Sequence, residues 1–437
     1  MSDVAVPNEL AMRPGVRRVQ TFLSWLRGDH PTEDEVAEQF APSGFVSDTP
    51  AATLQRLGRL REQLGEFEVA AWEEPLPGLI DLELESSNGR TSRLAARLAR
   101  DTDERIMRTT FLPKPPGFIV RAPREDEVAQ LAAIDAETPI LVGEVAIVYE
   151  RDPSDYFADE RLMGDGADFG VMEQDGRVVG VCCLATRDVM IGGVRRRAAA
   201  YTRARVAPAV QGGGARGHMQ FFGFFNETRR ECDFSYAIIA MGNEAMLRAG
   251  TRTGTDGVPQ RAVLDTSTGA ASSMGRSGTA QDGAHIARLL NAAHEGEEFF
   301  LPYTAQSLEA RLSMAPDLYS WSSFRVSDRA VIGVRPHTFR VHRREGDGPE
   351  SLDTRALCLD YGFEPDAEAE FEELLRGVLH ELAENGDTDL SLFTSEPSRG
   401  YELVSGMAKR MEPYLVQLPR RDGDSGPRSV YVDQIYF

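Results

Sequence analysis

Residues 205–219 read RVAPAVQGGGARGHM, and this stretch decides the fold because a strand pattern enters it and a helical pattern leaves it. The strand pattern covers about Arg196 to Val206, and the helical pattern covers Gly217 to Glu231. A helix N-terminus carries unpaired N–H groups and about half a positive charge. Glycines let a backbone approach a phosphate closely. The stretch therefore predicts a binding site for a phosphate-bearing ligand.

The charge around the glycine turn supports an anionic ligand. Between Arg195 and Arg230 the chain carries eight arginines and one acid, Glu227, although its net charge is −21. Arg216 stands in the turn itself. We therefore expect a focused positive region, which attracts anions. The amides that would hold the ligand belong to Gly212, Gly213, Gly214 and Gly217.

Other nucleotide-binding motifs match this stretch poorly. A P-loop ends in Gly-Lys-Ser/Thr, and this turn contains no lysine. A dinucleotide fingerprint needs an acid about 20 residues later, at the end of a strand, whereas Glu231 precedes one. A glycine-rich turn without any ligand remains the alternative.

The stretch resembles the GNAT acetyltransferase family, whose signature is Val-x-Pro-x-x-Gln/Arg-Gly-x-Gly-x-Gly/Ala after the fourth strand. The residues that match are Val206, Pro208, Gln211, Gly212 and Gly214, and the order of strands and helices matches over roughly 150 residues. The last small position of the signature is Arg216 here, which departs from it.

The resemblance implies a ligand and a mode of binding. Amides of the loop Gln211 to Gly217, which includes Gly213, Ala215 and Arg216, would hold the pyrophosphate of acetyl-CoA or another acyl-CoA. Arg205 and Val206 would pair with the pantetheine arm, which enters between the splayed fourth and fifth strands. Asn243 matches the Asn that opens the helix after the fifth strand.

The catalytic residues remain unassigned. The family often has a Tyr in that last helix as general acid, and Met246 to Ala249 stand there instead. Tyr201, Tyr236, Glu144 and Glu150 are candidates near the expected cleft, and packing or surface roles are simpler for all four. Acyl transfer can proceed mostly by positioning.

Composition narrows the partners. A net charge of −21 argues against nucleic acid and against an anionic membrane. No apolar run approaches 18 residues, so we expect no membrane span and a cytoplasmic location. Cys182 and Cys183 are interpreted as buried and inert, and the histidines lack metal-ligand spacing, so no metal is expected. A homo-oligomer is compatible with the sequence.

The predicted fold class is α+β / α/β, in three domains. Residues 1–115 place helices before an antiparallel meander, which weakly resembles the nuclear-transport-factor-like and ketosteroid-isomerase-like fold. Residues 117–266 form the GNAT domain, after the proline run at 113–116. Residues 267–282 are small and polar and predict a flexible linker. Residues 283–437 repeat the element order of the GNAT domain, which predicts an internal duplication.

The second copy is predicted to bind no CoA. Its loop position reads LDYGFEPD at residues 359–366, and residues 356–375 hold seven acids and no base. Carboxylates repel a pyrophosphate. The sequence thus predicts an acyl-CoA-dependent N-acetyltransferase that acts on an amine of a small molecule or protein. A non-catalytic acyl-CoA-binding protein is the alternative.

Overall fold

A computed structural model describes residues 5–41, 49–76, 79–87, 91–99, 103–113, 118–142, 145–151, 156–164, 167–211, 232–241, 258–272, 275–346, 348–396, 398–416 and 429–434. The chain divides into two compact units. The first comprises Met1–Arg121, Met172–Arg177 and Gln211–Arg230, and the second comprises Ala122–Val171, Val178–Val210 and Glu231–Phe437. Among the described residues, no helix is long and apolar enough to cross a membrane.

The first unit places helices before a four-stranded meander. Its helices are α1 (Asn8–Ala11), α2 (Pro14–Arg27), α3 (Glu33–Gln39) and α4 (Pro50–Leu64). Its strands β1 (Phe67–Leu76), β2 (Leu79–Ser86), β3 (Thr91–Leu98) and β4 (Ile106–Pro113) pair antiparallel in chain order. This confirms the predicted order of helices and strands. The likeness to the nuclear-transport-factor-like fold stays a prediction.

Sequence signals explain why the first unit folds in this way. Thr32 and Glu35 form a reciprocal capping box at the start of α3. Alternating apolar residues of β2 and β3, such as Leu82 and Leu94, are buried in the core against α2. Asp81, on the opposite face, pairs with Arg93 on the neighbouring strand. The acids of this sheet therefore include at least one in a cross-strand ion pair.

The second unit is built on one long mixed sheet, to which β8 and β9 contribute most of their residues. In chain order its elements are α5 (Val128–Glu137), β6 (Ile140–Val142), β7 (Val145–Glu150), α6 (Ala158–Met163), β8 (Ala167–Gln174), β9 (Arg177–Ile191), β10 (Val194–Val206), α7 (Pro208–Gln211), β11 (Phe234–Ala240), β12 (Gln260–Asp265), β13 (Arg276–Ser277), α8 (Gly283–Ala293), α9 (Ala305–Leu312), β14 (Phe324–Val326), β15 (Ala330–Glu345), β16 (Ser351–Phe363), α10 (Glu368–Glu384), β17 (Asp389–Thr394), α11 (Tyr401–Met407) and β18 (Arg410–Val416). A short β5 (Phe118–Arg121) precedes them.

The sheet contains two halves with the same strand arrangement. The strand order is β13-β14-β15-β16-β17-β12-β18-β11-β10-β9-β8. In the first half β9 and β10 form a hairpin, β11 runs parallel to β10, and an antiparallel strand follows. In the second half β15, β16 and β17 repeat this arrangement. The strand arrangement thus repeats, while an internal duplication stays a prediction.

The two halves exchange their last strands. β12, from the segment 117–266, pairs with β17 of the second half, and β18 pairs with β11 of the first. β12 and β18 also pair with each other, and β7 joins the edge of β15. The segments 117–266 and 283–437 therefore share one sheet and one compact unit. Their division into separate domains stays a prediction that this topology does not favour.

The predicted flexible linker at residues 267–282 is structured where it is described. Its amide at Ala270 donates to the carbonyl of Arg376 in α10, and β13 pairs with β14. Gly269 lies so close to α10 that a Cβ there would clash with the backbone of Leu379 and His380. Small residues such as Gly269 thus permit close packing against a helix, so the flexible linker stays a prediction that these contacts do not favour.

Candidate functional site

The two central strands of the first half separate part-way along their length. Pairing of β10 with β11 covers Ala198↔Phe234 to Tyr201↔Ala237. Beyond that point the last residues of β11 pair with β18 instead, while β10 runs on to Val206 with no described strand on its β11 side. We call the space between residues 202–206 and 238–240 the first gap. Along the chain, the glycine turn follows β10 and α7 and lies outside the described residues.

A β-bulge marks the start of the first gap. Thr202 pairs with Cys183 and Arg205 pairs with Val181, so β10 holds one residue more than β9 there. Arg203, in the bulge, has a φ of 54°, a region that non-glycine residues rarely adopt. Such a conformation persists only where the surroundings hold it.

The Arg203 side chain is buried in an ion-pair cluster. Its Nη1 donates to Glu160 Oε1 at 2.7 Å and to the Tyr156 carbonyl at 2.8 Å. Its Nη2 lies 3.6 Å from Asp135 Oδ2, and its guanidinium carbon lies 4.3 Å from the centroid of the Tyr156 ring. These contacts tie the bulge of β10 to α5 and α6.

Asp159 and Glu160 are neighbours in α6, but their pKa values are shifted in opposite directions. Burial raises the pKa of the Glu160 carboxyl despite the Arg203 charge. Burial acts in the same sense on Asp159, but Arg151 at 2.5 Å and Arg335 at 2.6 Å hold its pKa below the ordinary range. Adjacent carboxyls with divergent pKa values are typical of functional sites as well as of ion-pair networks.

Glu160 also lines a cavity of about 480 Å³ at α6. Its Oε2 atom is buried and receives no hydrogen bond from the described residues. Oε1 accepts from Arg203, so the two carboxylate oxygens have different surroundings. We call this space the α6 cavity; its other lining residues are Phe157, Arg161, Gly164, Ala167 and Met314.

A larger cavity of about 640 Å³ lies at the turn of the β9–β10 hairpin. The turn at Gly193 is 13 residues from Val206, roughly 40 Å along an extended strand. The carboxylate of Glu298 accepts from the Gly192 amide, and Glu297 faces His294 at 3.1 Å. Glu298 thus contacts the hairpin turn, which is far from the first gap along β10.

The second half repeats the separation, but the chain itself closes it. Pairing of β16 with β17 ends at Leu357↔Ser391, and a bulge follows at once, as in β10. We call the space between residues 358–363 and 392–394 the second gap. The Gln434 carboxamide crosses its entrance and donates to the carbonyls of Cys358 at 2.9 Å and Ser391 at 2.7 Å.

Several further contacts anchor the segment that carries Gln434. Ser395 Oγ donates to the Val430 carbonyl, and Arg311 binds Asp433 at 2.6 Å. The Tyr361 hydroxyl reaches the Phe393 carbonyl across the second gap at 3.4 Å. The carbonyl groups of Cys358, Ser391 and Phe393 at the second gap therefore accept hydrogen bonds from the protein's own side chains.

The acids predicted to repel CoA from the second half are placed differently than expected. β16 continues to Phe363, so residues 359–363 are strand and not loop. Glu364 pairs with Arg288 and Arg329, and Asp366 pairs with Arg329. Arginines thus neutralise these two carboxylates, and the absence of CoA binding in the second half stays a prediction.

Three of the predicted CoA-binding positions fall within the part of the chain that the structure describes. Arg205 and Val206 lie on β10 at the first gap, and Gln211 ends α7. Arg205 Nε lies 4.0 Å from Asp135 Oδ1. Positions outside the described residues are Gly212, Gly213, Gly214, Ala215, Arg216, Gly217 and Asn243.

The predicted positive region is divided by the length of β10. Arg195 and Arg197 lie near the hairpin turn, where both pair with Asp188. Arg196 is ten residues from Val206, roughly 30 Å along the strand. These three arginines therefore lie far from the Val206 end of β10, and their place in one focused positive region stays a prediction.

The structure also places the remaining candidates. Tyr236 is buried and stacks on Phe299 with ring centroids 4.6 Å apart. Glu150 binds His342 at 2.7 Å, and Glu144 lies outside the described residues. Cys182 and Cys183 are buried, and burial raises the pKa of both thiols. Among described residues, no group of His, Cys, Asp and Glu could hold a metal ion.

No protein-family model and no curated protein matches this chain. Among solved structures, N-myristoyltransferase from Saccharomyces cerevisiae with bound myristoyl-CoA is similar at a TM-score of 0.51 and 9% identity, covering 74% of this chain and 90% of that chain. A further structure of that enzyme with bound myristoyl-CoA is similar at a TM-score of 0.50 and 8% identity, covering 74% of this chain and 86% of that chain. A GCN5-related N-acetyltransferase from Kribbella flavida matches at a TM-score of 0.39 and 16% identity, covering 68% of this chain and 70% of that chain. This structural similarity is too low to support an inference about the fold.

The chain therefore has the fold of N-myristoyltransferase. It is a mixed α/β architecture with one large mixed sheet, consistent with the predicted GNAT-like fold. At 9% identity the likeness concerns the fold alone.

Proposed function

We propose that this protein is an acyl-CoA-dependent N-acyltransferase. It transfers an acyl group from the CoA thioester to an amine of a small molecule or protein. The observation that carries the proposal is the first gap, where β10 continues past its parallel neighbour and leads into the glycine turn. A strand edge without a neighbouring strand can bond the peptide-like amides of a pantetheine arm.

The glycine turn supplies the other end of the binding site in this proposal. Amides from Gln211 to Gly217 bind the pyrophosphate, and Asn243 contributes from the helix after β11. Similarity in fold to a transferase that was crystallised with an acyl-CoA supports the same ligand class. Each chain binds one acyl-CoA, because Gln434 closes the second gap.

Catalysis in this proposal depends mainly on positioning. Holding the amine against the thioester carbonyl turns a bimolecular reaction into an effectively unimolecular one. The acyl chain is left to experiment, since the sequence resemblance implies acetyl-CoA and the structural neighbours bind myristoyl-CoA.

Release of free thiol tests the proposal. Acetyl-CoA and myristoyl-CoA are each incubated with the full chain and a panel of primary amines, and CoA thiol is measured over time. Amine-dependent thiol release with formation of the matching amide supports the transferase. Saturable binding without consumption points to the non-catalytic acyl-CoA-binding protein, and absence of both binding and consumption contradicts the proposal.

A further inference from the structure

We propose that Arg203 is a positioning residue for the acyl-CoA. Its buried side chain fixes the backbone of residues 203–206 in the conformation that binds the pantetheine arm. The inference rests on the proposed function, in which this strand edge pairs with the pantetheine amides. Arg203 acts through its own main chain, and its side chain does not touch the ligand.

The bulge in β10 sets the course of the strand where the first gap begins. Arg203 and Ala204 together oppose the single residue Cys182 on β9. A bulge of this kind bends its strand and increases the local twist. Pairing with β11 ends at Tyr201, directly before the bulge. The bulge therefore decides the direction in which residues 203–206 continue along the first gap.

The backbone of Arg203 does not adopt this conformation by preference. Its φ of 54° lies in the left-handed region, which is unfavourable for a residue with a Cβ atom. Such a residue keeps its conformation only where the surrounding structure determines it. The contacts of the Arg203 side chain provide this constraint, so we expect the bulge to relax when they are removed.

The side chain of Arg203 is held by α5 and by the start of α6. Its Nη1 donates to Glu160 Oε1 at 2.7 Å and to the Tyr156 carbonyl at 2.8 Å, and its Nη2 lies 3.6 Å from Asp135 Oδ2. The guanidinium carbon also lies 5.3 Å from the centroid of the Phe169 ring. Because the side chain is only 4% exposed, water hardly competes for these charge-assisted contacts.

Asp135 also holds the residue on the other side of the bulge. Arg205 Nε lies 4.0 Å from Asp135 Oδ1, and Arg205 Nη1 donates to the carbonyl of Ala204 at 2.9 Å. The side chains of Arg203 and Arg205 thus both reach the same acid of α5. Residues 203–205 therefore form one anchored segment, whose position relative to α5 is fixed.

The second half has a bulge at the equivalent place but lacks this anchor. The bulge of β16 begins where its pairing with β17 ends, and it contains Cys358 and Leu359. Both side chains are buried and carry no ionic group, and no described residue of this bulge has a positive φ. Gln434 crosses the adjoining second gap. Of the two halves, the left-handed residue and its charged anchor therefore occur in the one proposed to bind acyl-CoA.

Titration of two ligands into the full chain tests the role of Arg203. The ligands are acetyl-CoA and 3′-phospho-ADP, which is CoA without its pantetheine arm. Arg203→Met removes the charge and keeps much of the side-chain length, whereas Arg203→Lys keeps the charge. Arg335→Met is the matched control, because Arg335 is similarly buried and binds Asp159 of α6 at 2.6 Å but lies on β15.

We expect Arg203→Met to weaken acetyl-CoA binding at least tenfold and 3′-phospho-ADP binding less than twofold. Arg203→Lys should lose less acetyl-CoA affinity than Arg203→Met, and Arg335→Met should lose less than twofold. General damage to the fold would instead weaken both ligands. Unchanged acetyl-CoA binding in Arg203→Met, an equal loss for both ligands, or an equal loss in Arg335→Met would overturn the inference.

A second variant covers the case in which Arg203→Met does not fold, as judged by circular dichroism. Glu160→Gln weakens the hold on Arg203 without changing β10, and it should weaken acetyl-CoA binding at least threefold. Wild-type affinity in a folded Glu160→Gln would then overturn the inference. A wild type that binds no acetyl-CoA would contradict the proposed function itself, whereas a wild type that binds acetyl-CoA no more tightly than 3′-phospho-ADP would contradict only the role of Arg203.

Discussion

Gln434 Nε2 lies 2.9 Å from the carbonyl oxygen of Cys358, at the point where β16 parts from its parallel neighbour. The same nitrogen also bonds the Ser391 carbonyl on β17, so one side chain satisfies an acceptor on each of two separating strands. The equivalent residues of the first half, Thr202 and Ala237, flank the first gap. The two halves thus share a backbone design but differ in whether the chain closes its own gap.

Replacing Gln434 should therefore destabilise the protein. Gln434→Leu removes the donor from two buried carbonyl groups, and we expect the free energy of unfolding to fall by about 2–4 kcal/mol. Urea titration measures the change. Gln55→Leu, at an exposed position of α4, is the control and should change it by less than about 0.5 kcal/mol. An unchanged stability of Gln434→Leu would show that the carboxamide does not hold the second gap closed.

Strand exchange predicts that the two halves do not fold separately. Fragments 117–266 and 283–437, expressed alone, should lack near-ultraviolet circular dichroism, because β12 and β18 each need a partner strand from the other fragment. Co-expression should restore the signal and a cooperative unfolding transition. Independent cooperative unfolding of either fragment would contradict the exchange.

Asp159 should contribute strongly to stability. It pairs with Arg151 and Arg335, both largely buried, so Asp159→Asn leaves two guanidinium groups without their carboxylate. Breaking a buried ion pair from one side costs about 3–5 kcal/mol. Urea unfolding at pH 7 measures the loss. Asp317→Asn, which breaks an exposed ion pair, should cost less than about 1 kcal/mol.

The contribution of Asp159 should also depend on pH in a defined direction. Its folded-state pKa lies below the unfolded value of about 3.9, so its stabilisation is fully present above that pH and is lost as the pH falls below it. The stability difference between wild type and Asp159→Asn should therefore shrink from pH 6 to pH 3. A difference that grows on acidification would contradict the assigned ion pairs.

Arg203 and Glu160 should be energetically coupled. Arg203→Met leaves Glu160 without its charged donor, and Glu160→Gln leaves Arg203 with a neutral acceptor. Both single changes should lower stability, whereas the double variant should lose less than their sum by about 1–3 kcal/mol. A double-mutant cycle by urea unfolding gives this term. Strict additivity would mean that the contact contributes nothing.

Local patterns predicted much of the fold. The helices and the meander of the first unit were predicted because α2 and the strands carry regular apolar periodicity. The strand predicted from about Arg196 to Val206 is confirmed as β10. The exchange of β12 and β18 was not predicted, because the residue pattern of a strand does not encode which distant strand becomes its neighbour.

The site shows the same limit. Arg205, Val206 and the glycines were predicted from their spacing, which is local. Glu160 was missed because it is one of 69 acids, and its environment is built from Arg203, 43 residues later, and Met314, much further along the chain. The composition of residues 267–282 is ambiguous in the same way, because small residues favour both flexibility and close helix packing, and the packing of Gly269 against α10 becomes visible only in the structure.

Titration of acetyl-CoA into the purified full chain tests most directly whether the first gap and the glycine turn bind an acyl-CoA. Gly214→Glu places a carboxylate in the turn, and Gly406→Glu is the matched control, since a Cβ at Gly406 of α11 meets no atom within 4 Å. Binding of one acetyl-CoA per chain by the wild type and Gly406→Glu, weakened at least tenfold in Gly214→Glu, is the predicted result. No binding to any of the three, or equal binding to all, would contradict it.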